Sequence, residues 1–295
     1  MQTLLFTGAS GFLGSNIIPL LAEQYVIETL GLGAGNKYIV DLSEEVPTLE
    51  KRYDIVVHAA GEAHYQPCNQ EESDAFFSVN VKGTINLSKS LESTGMPDSL
   101  LFISSVAVYG LMEGEEITED FPLHGNTPYA LSKIKAEEFL TKWCNDNGVT
   151  LCILRPVLIA GENPPGNLGK MVKAIRKGLY CRVAGGKARK SIIMAEDIAR
   201  IIPFIKDRGG VYNISSSHHP MVRELESLIA QQVGRKLILN IPYWGVKLVA
   251  KIGDILGSPV NSMSLKKMTS SLTFSNKKAI GVGWKPVGLL KNFKI

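Results

Sequence analysis

An apolar run at residues 2–7 (QTLLFT) passes directly into TGASGFLG, and a helical pattern follows at 12–23. Gly8, Gly11 and Gly14 recur at three-residue spacing. Glycines there permit a tight turn and let the backbone approach a diphosphate at a helix N-terminus, whose free N–H groups point at the anion. A strand, a glycine turn and a helix in that order commit the chain to a βα unit. Pro19 falls inside the helix and removes one hydrogen bond, so a kink or irregular turn is expected there. Further strands are expected at 25–30, 37–40, 54–58, 99–104 and 150–154, and helices at 74–93 and 128–147. Strands alternating with helices give parallel βαβ units and a doubly wound α/β sheet. Beyond about residue 160 the rhythm changes at GENPPGN, which precedes a helix near 168–178. The chain divides into a Rossmann-like dinucleotide-binding domain over 1–160, with a return segment near 191–215. A smaller, discontinuous α/β substrate-binding domain covers 161–190 and 216–295. Ligands of such folds bind at the carboxyl ends of the strands.

Composition excludes several classes. Net charge is only +4, and no Lys/Arg block is interleaved with aromatics, so nucleic acid is not an expected partner. Cys68, Cys144, Cys152 and Cys181 lie far apart without CxxC spacing, which argues against structural zinc and disulfides and fits a reducing cytosol. The leading apolar run is too short for a signal peptide, and no stretch reaches the ~20 residues of a membrane span. Trp244, Leu248, Ile252 and Ile255 form a helical stripe with Lys247, Lys251 and Asp254 largely on another face. Such a stripe is expected to pack inward, a membrane-surface or partner-binding helix being the other reading.

TPYALSKIKAEE (127–138) sets Tyr129 and Lys133 one helical turn apart behind Pro128. With it come VDLSEE (Asp41, Leu42), HAAG (58–61), Asn80 in SVNVKGT, ISSVAVYG (103–110), ILRPVLIAG (153–161) and SIIMAEDIA (191–199). In these ordered motifs the chain resembles the extended short-chain dehydrogenase/reductases of the NAD-dependent epimerase/dehydratase type, over nearly its whole length. The resemblance implies that Tyr129 is the acid/base and Lys133 its electrostatic partner and a ligand of the nicotinamide ribose. Ser105 would hydrogen-bond the reacting sugar oxygen. Gly8, Gly11, Phe12, Leu13 and Gly14 would hold the cofactor diphosphate, and Asp41 and Leu42 the adenine. Ala59, Ala60, Gly61 and Pro156 would line the cofactor, and Asn80 would hold the active-site backbone. Val106, Asn167, Arg189 and Lys190 would face the substrate. A phenol ionises near pH 10 in water, so a cation beside it is expected to favour phenolate.

Departures narrow the choice within the family. Ser105 is followed by Val106 and Ala107 in place of the Asp-Glu pair of 4,6-dehydratases, so dehydration is not expected. Leu158 stands where many epimerases carry Asn. Lys190 aligns with the arginine that clamps the diphosphate, with Arg189 adjacent; lysine lacks the bidentate fork. The second strand ends near Gly31 without an acidic ribose ligand and without a marking arginine, leaving NAD or NADP open; Asn36 and Lys37 are nearby. AGENPPGNLGKM and SSLTFSNKKAIGVGWKP most resemble the UDP-4-keto-6-deoxy-N-acetylhexosamine reductases of surface-polysaccharide synthesis. A 4-ketoreductase acting on a UDP-linked amino sugar is the expected function, with a UDP-sugar 4-epimerase second and a non-catalytic cofactor sensor third. A homodimer is compatible with this reading. Bland roles are expected for His58 (packing), His218–His219 and the EGEE run at 113–116 (solvated loops), while His64 lies near the expected cleft.

Overall fold

The computed structural model describes residues 1–63, 65, 67–236, 239–256, 261–288 and 293. Its first half runs β1 (Thr3–Thr7), α1 (Phe12–Leu21), β2 (Val26–Gly31), β3 (Tyr38–Ile39), β4 (Ile55–His58), α2 (Gln70–Phe77), α3 (Gly83–Thr94), β5 (Ser99–Ile103), β6 (Gly114–Ile117), α4 (Pro128–Asn147) and β7 (Thr150–Pro156). There follow β8 (Leu158–Ala160), α5 (Gly166–Arg176), β9 (Arg182–Val183), β10 (Ile192–Met194), α6 (Ala195–Ile205), β11 (Gly210–Ile214), α7 (Val222–Gln232), β12 (Asn240–Ile241), α8 (Tyr243–Leu256), α9 (Ser262–Thr269), β13 (Leu272–Phe274) and α10 (Lys277–Gly281).

Seven parallel strands form one sheet in the order β11-β7-β5-β4-β1-β2-β3, the doubly wound arrangement expected from the sequence. Successive strand residues enter different cores, as a period of two requires. Leu4, Phe6, Ile55, Val57, Leu101 and Ile103 pack with Ile17 and Leu21 of α1 and Ile198, Ile201 and Ile202 of α6. Leu5, Val56, Leu100 and Phe102 point the other way, to Leu87 and Leu91 of α3 and Ala136, Leu140 and Trp143 of α4. With helices on both faces, β4 and β5 have no solvent side and are buried throughout. Strand order reverses between β1 and β4, so their carboxyl ends open the crevice where such folds take ligands.

Local chemistry fixes the helix ends that matter. The Thr127 hydroxyl accepts from Ala130 N at 3.2 Å, Pro128 occupies the first turn, and Gly148 closes α4 at φ +67°. The helix expected at 74–93 begins earlier, because Asn69 caps Glu72 N at 2.8 Å. Between α2 and α3 the chain widens into a π turn over Ser78–Lys82, with Asn80 inside it. Such turns are rare and cluster at functional sites. Helix α1 runs through Pro19 but closes at Leu21, two residues short of its expected end.

Three short parallel pairs, β8–β10, β9–β12 and β6–β13, lie outside the main sheet. A third core of Leu168, Val172, Ile175, Ile192, Leu225 and Ile229 holds α5 and α7 together. Part of the EGEE run is therefore strand rather than loop: Gly114 pairs with Leu272 and Ile117 with Phe274, while Glu115 and Glu116 stay exposed. His219 also departs from a solvated reading. It bridges Ser191 Oγ (2.9 Å) and Glu116 Oε1 (2.8 Å), so it ties β6 to the chain entering β10.

Candidate active site

Helix α1 begins at Gly11 with no side chain capping its first N–H groups. Orphan amides of this kind suit an anion. The three glycines beneath it are not equivalent. A Cβ on Gly8, at φ +75°, would lie 2.6 Å from Ala60 N, and one on Gly14 would lie 2.4 Å from Ala9 O. A Cβ on Gly11 would meet only Gly8 O, at 3.1 Å, with the backbone in an ordinary extended conformation. Gly8 and Gly14 therefore build the turn, and Gly11 leaves its mouth open. Gly14→Val is expected to lower the melting temperature markedly. Gly11→Val should retain the fold while weakening dinucleotide binding by about tenfold or more, since a branched side chain then stands where the diphosphate approaches. Unchanged NADH and NADPH affinity by calorimetry would show the mouth of the loop to be misassigned.

A cavity of about 320 Å³ continues from this loop, lined by Ala9, Ser10, Thr29, Gly33 and Asn36 among others. Gly31 ends β2, and a Cβ there would meet Asn36 Nδ2 at 3.3 Å. No carboxylate or guanidinium lines the cavity, and Lys37 is turned to Glu50 at 2.8 Å. Asp41 is also committed elsewhere: its Oδ1 accepts from Ser43 N (2.9 Å) and Ser43 Oγ (2.7 Å). Leu42 is core, and its carbonyl accepts from Asn86 Nδ2 at 2.8 Å. Neither residue is among those lining this cavity.

The end of β4 is held by a buried polar chain. Thr84 Oγ1 donates to Asn80 O at 2.6 Å, so the 2.9 Å contact with His58 Nε2 requires the histidine to donate there. Nδ1 is then the acceptor of the Thr7 hydroxyl at 2.7 Å, and Thr7 Oγ1 also accepts from Ala60 N. Burial pushes the His58 pKa down to about 3, with Lys133 adding to the effect, so the ring is neutral and structural. Asn80 accepts from Glu62 N (2.8 Å) and donates to Glu62 O and Ser132 Oγ. It thereby clamps the Glu62 backbone to α4. A Cβ on Gly61 would fall 2.8 Å from Asn80 Oδ1 and 2.9 Å from Lys133 Nζ.

Ser105 follows β5, and its Oγ accepts from Ala107 N at 3.1 Å. Burial raises the Tyr129 pKa, and the neighbouring Ser105 hydroxyl opposes this only in part. Lys133 is buried one turn on; its Nζ donates to Ile103 O at 3.0 Å and lies 4.8 Å from the Phe102 ring centroid. Burial lowers its pKa to about 8, against the pull of Glu137. Burial favours the protonated phenol, while the Lys133 ammonium one turn away donates to a backbone carbonyl. Phe76, which the sequence reading did not single out, lies 6.0 Å from Tyr129 between ring centroids, and Tyr65 stacks on Phe76 at 4.7 Å. His64 lies outside the described residues.

The remaining expected residues are less tightly grouped. Phe12 and Leu13 form the first turn of α1, Pro156 is buried at the end of β7, and Val106 opens a 3-10 turn after Ser105. Asn167 is exposed on α5, and Arg189 is exposed and donates to His219 O at 3.0 Å. Lys190 is half-buried, and burial lowers its pKa. Among the described residues no hydrogen bond joins Asn167, Arg189 or Lys190 to Ser105 or Tyr129. No group of three metal-ligating side chains is present among them either.

One carboxylate went unremarked in the sequence. Glu137, four residues beyond Lys133, is buried against Arg155 with N–O distances of 2.6 and 3.1 Å and accepts from the Ser104 hydroxyl. Its signal was a carboxylate on the apolar face of a helix, at i+8 from Tyr129.

The chain is similar to known proteins over most of its length. The chain is 28% identical to the N-acetyl-alpha-D-glucosaminyl-diphospho-ditrans,octacis-undecaprenol 4-epimerase of Escherichia coli O157:H7, over 96% of this chain and 90% of that one. It is 29% identical to the GDP-6-deoxy-D-mannose reductase of Pseudomonas aeruginosa, over 78% and 79%. The UDP-glucose 4-epimerase of Thermotoga maritima, solved with UDP-glucose, shares the fold with a TM-score of 0.76 at 19% identity, covering 99% of this chain and 96% of that one. A family model matches residues 4–215, a span that contains Gly8, Gly11, Gly14, Asn80, Ser105, Tyr129 and Lys133. The chain belongs to the NAD dependent epimerase/dehydratase family.

Proposed function

We propose that this protein is an NAD(P)-dependent oxidoreductase that reduces the 4-keto group of a UDP-linked amino sugar. The observation that carries the reading is Tyr129 beside the Ser105 hydroxyl and one turn from Lys133, whose Nζ donates to Ile103 O at the carboxyl end of β5. The bound nicotinamide supplies the hydride. Tyr129 supplies the proton: as C4 gains hydride, the carbonyl oxygen takes the phenolic proton, and ketone becomes alcohol. A phenol kept protonated by burial is ready for that direction. Ser105 orients the accepting oxygen, and the Lys133 charge steadies the phenolate left behind. The orphan amides of α1 and the Ala59–Gly61 edge would hold the dinucleotide, with Ser10 and Asn36 lining the adjoining cavity. The half-buried Lys190 would offer its charge to the sugar diphosphate.

A 4-epimerase is the second reading, supported by the likeness to the Escherichia coli 4-epimerase over 96% of the chain. An epimerase retains its cofactor between half-reactions, whereas a reductase exchanges it every turn. Gly31 removes one anchor that retention would use. With 4-deuterated NADPH or NADH and a UDP-4-keto-6-deoxy-amino sugar, stoichiometric cofactor oxidation and deuterium at sugar C4 are expected. Interconversion of 4-epimeric UDP- or polyprenyl-diphosphate N-acetylhexosamines without net cofactor consumption would favour the epimerase instead.

A further inference from the structure

Helix α8 is turned the opposite way from the inward packing expected of its stripe. Trp244 is 75% and Leu248 60% exposed, and Tyr243, Val249 and Ile252 are also exposed. Among the α8 residues whose side chains are described, which do not include Ile255 of the stripe, Ala250 and Gly253 are buried. The small residues therefore lie on the inner side and the bulky ones on the outer side. Helix α9, packed on α8, adds exposed Met263 and Met268.

Charge narrows what can cover this surface. Lys247 and Lys251 are exposed one turn apart among the apolar residues, and Lys266 and Lys267 are exposed on α9. Lys266 is paired with Glu113 at 2.9 Å, and Asp254, the carboxylate on α8, accepts from Ser262 N at 2.9 Å and keeps its charge. Lys247, Lys251 and Lys267 outnumber Asp254, so the face is apolar with a net positive charge. Protein interface cores are depleted in lysine, and a twofold contact with a second copy would set lysines against lysines. An anionic bilayer satisfies both features. Large apolar side chains and a Trp/Tyr pair enter the headgroup boundary, while lysines extend to the phosphates. Fourteen residues are too few to span a membrane, and no described helix is long and apolar enough to do so.

We propose that the α8–α9 face docks on the surface of an anionic lipid bilayer, with Trp244, Leu248 and Ile252 in the headgroup boundary and Lys247 and Lys251 against lipid phosphates. The proposal is independent of the direction of redox chemistry at Tyr129. Its consequence for the site is topological: α9 leads into β13, whose Leu272 bridges to Lys190, so docking brings the Lys190 region towards the membrane.

Trp143 and Trp284 are buried, which makes Trp244 the natural reporter. The purified full chain is titrated with vesicles of mixed phosphatidylglycerol and phosphatidylcholine, following Trp emission and co-sedimentation. A blue shift and sedimentation are expected, weakened by about tenfold or more with pure phosphatidylcholine or in about 0.5 M salt. The Leu248→Ser/Ile252→Ser variant, which keeps the reporter, should bind about tenfold or more weakly with an unchanged melting curve. Wild-type protein left in the supernatant with anionic vesicles would overturn the proposal. So would undiminished binding by the variant, or a dimer that the variant dissociates in the absence of vesicle binding.

Discussion

Tyr129→Phe is expected to reduce turnover by about 10²-fold or more while leaving cofactor affinity nearly unchanged. The substitution removes only the hydroxyl, so the ring keeps its place beside Phe76 and the cap and core of α4 are untouched. The neighbouring titratable side chains are engaged elsewhere. Lys133 is occupied by the Ile103 carbonyl, and His58 is neutral and enclosed by Thr7 and Thr84. In the wild type, kcat/KM for reduction should be level up to about pH 8 and fall above it. Lys133 loses its proton there, and with it the charge that steadies the phenolate. Near-normal turnover in Tyr129→Phe, measured with saturating cofactor, would remove the phenol from the mechanism.

What could be read from the sequence was whatever local chemistry specifies. Helix α4 starts and stops where Thr127, Pro128 and Gly148 say it should, since cap, first-turn proline and left-handed glycine are all local signals. The buried strands β4 and β5 were legible as short apolar runs between turns. The start of α2 was missed because its first turn, QEES, is wholly polar and has no periodicity; the Asn69 cap was the available clue. Strand β6 was not legible because its partner, β13, lies more than 150 residues away and the run itself is charged. Helix α8 shows another limit. A stripe gives the helix a sidedness, but which side faces the protein is decided by small residues such as Ala250 and Gly253 fitting against the neighbours.

The catalytic group was legible by type and spacing, but its electrostatics was not. Tyr129 and Lys133 at i and i+4 suggested direct activation of the phenol. In the structure the Lys133 ammonium donates to the Ile103 carbonyl and Tyr129 has the Ser105 hydroxyl beside it, both in the segment at the end of β5. That segment is anchored by a pair the motif reading passed over.

Glu137→Leu is expected to destabilise the fold by about 3–5 kcal/mol, the range for removing one member of a buried ion pair. Glu137 and Arg155 have side-chain exposures of 5% and 6%, and two guanidinium nitrogens meet two carboxylate oxygens. Burial alone would lower the Arg155 pKa; the Glu137 hydrogen bond and charge outweigh it. Leucine in that position leaves the guanidinium enclosed with neutral partners only, the Tyr109 hydroxyl at 3.0 Å and the Glu119 carbonyl at 3.4 Å. It also frees the Ser104 hydroxyl, which sits between Ile103, the acceptor of Lys133, and Ser105, the partner of Tyr129. Loss of stability should therefore be accompanied by a fall in kcat in the fraction that remains folded. Glu137→Gln, which keeps one acceptor, should fall between the two. Pairing Glu137→Leu with Arg155→Met should recover much of the stability, because no unpaired charge is then buried, but not the turnover. Denaturant midpoints for the two single variants and the double variant test this directly. A loss below about 1 kcal/mol for Glu137→Leu would mean that water reaches Arg155 and that the pair does not anchor the Ser104–Ser105 segment.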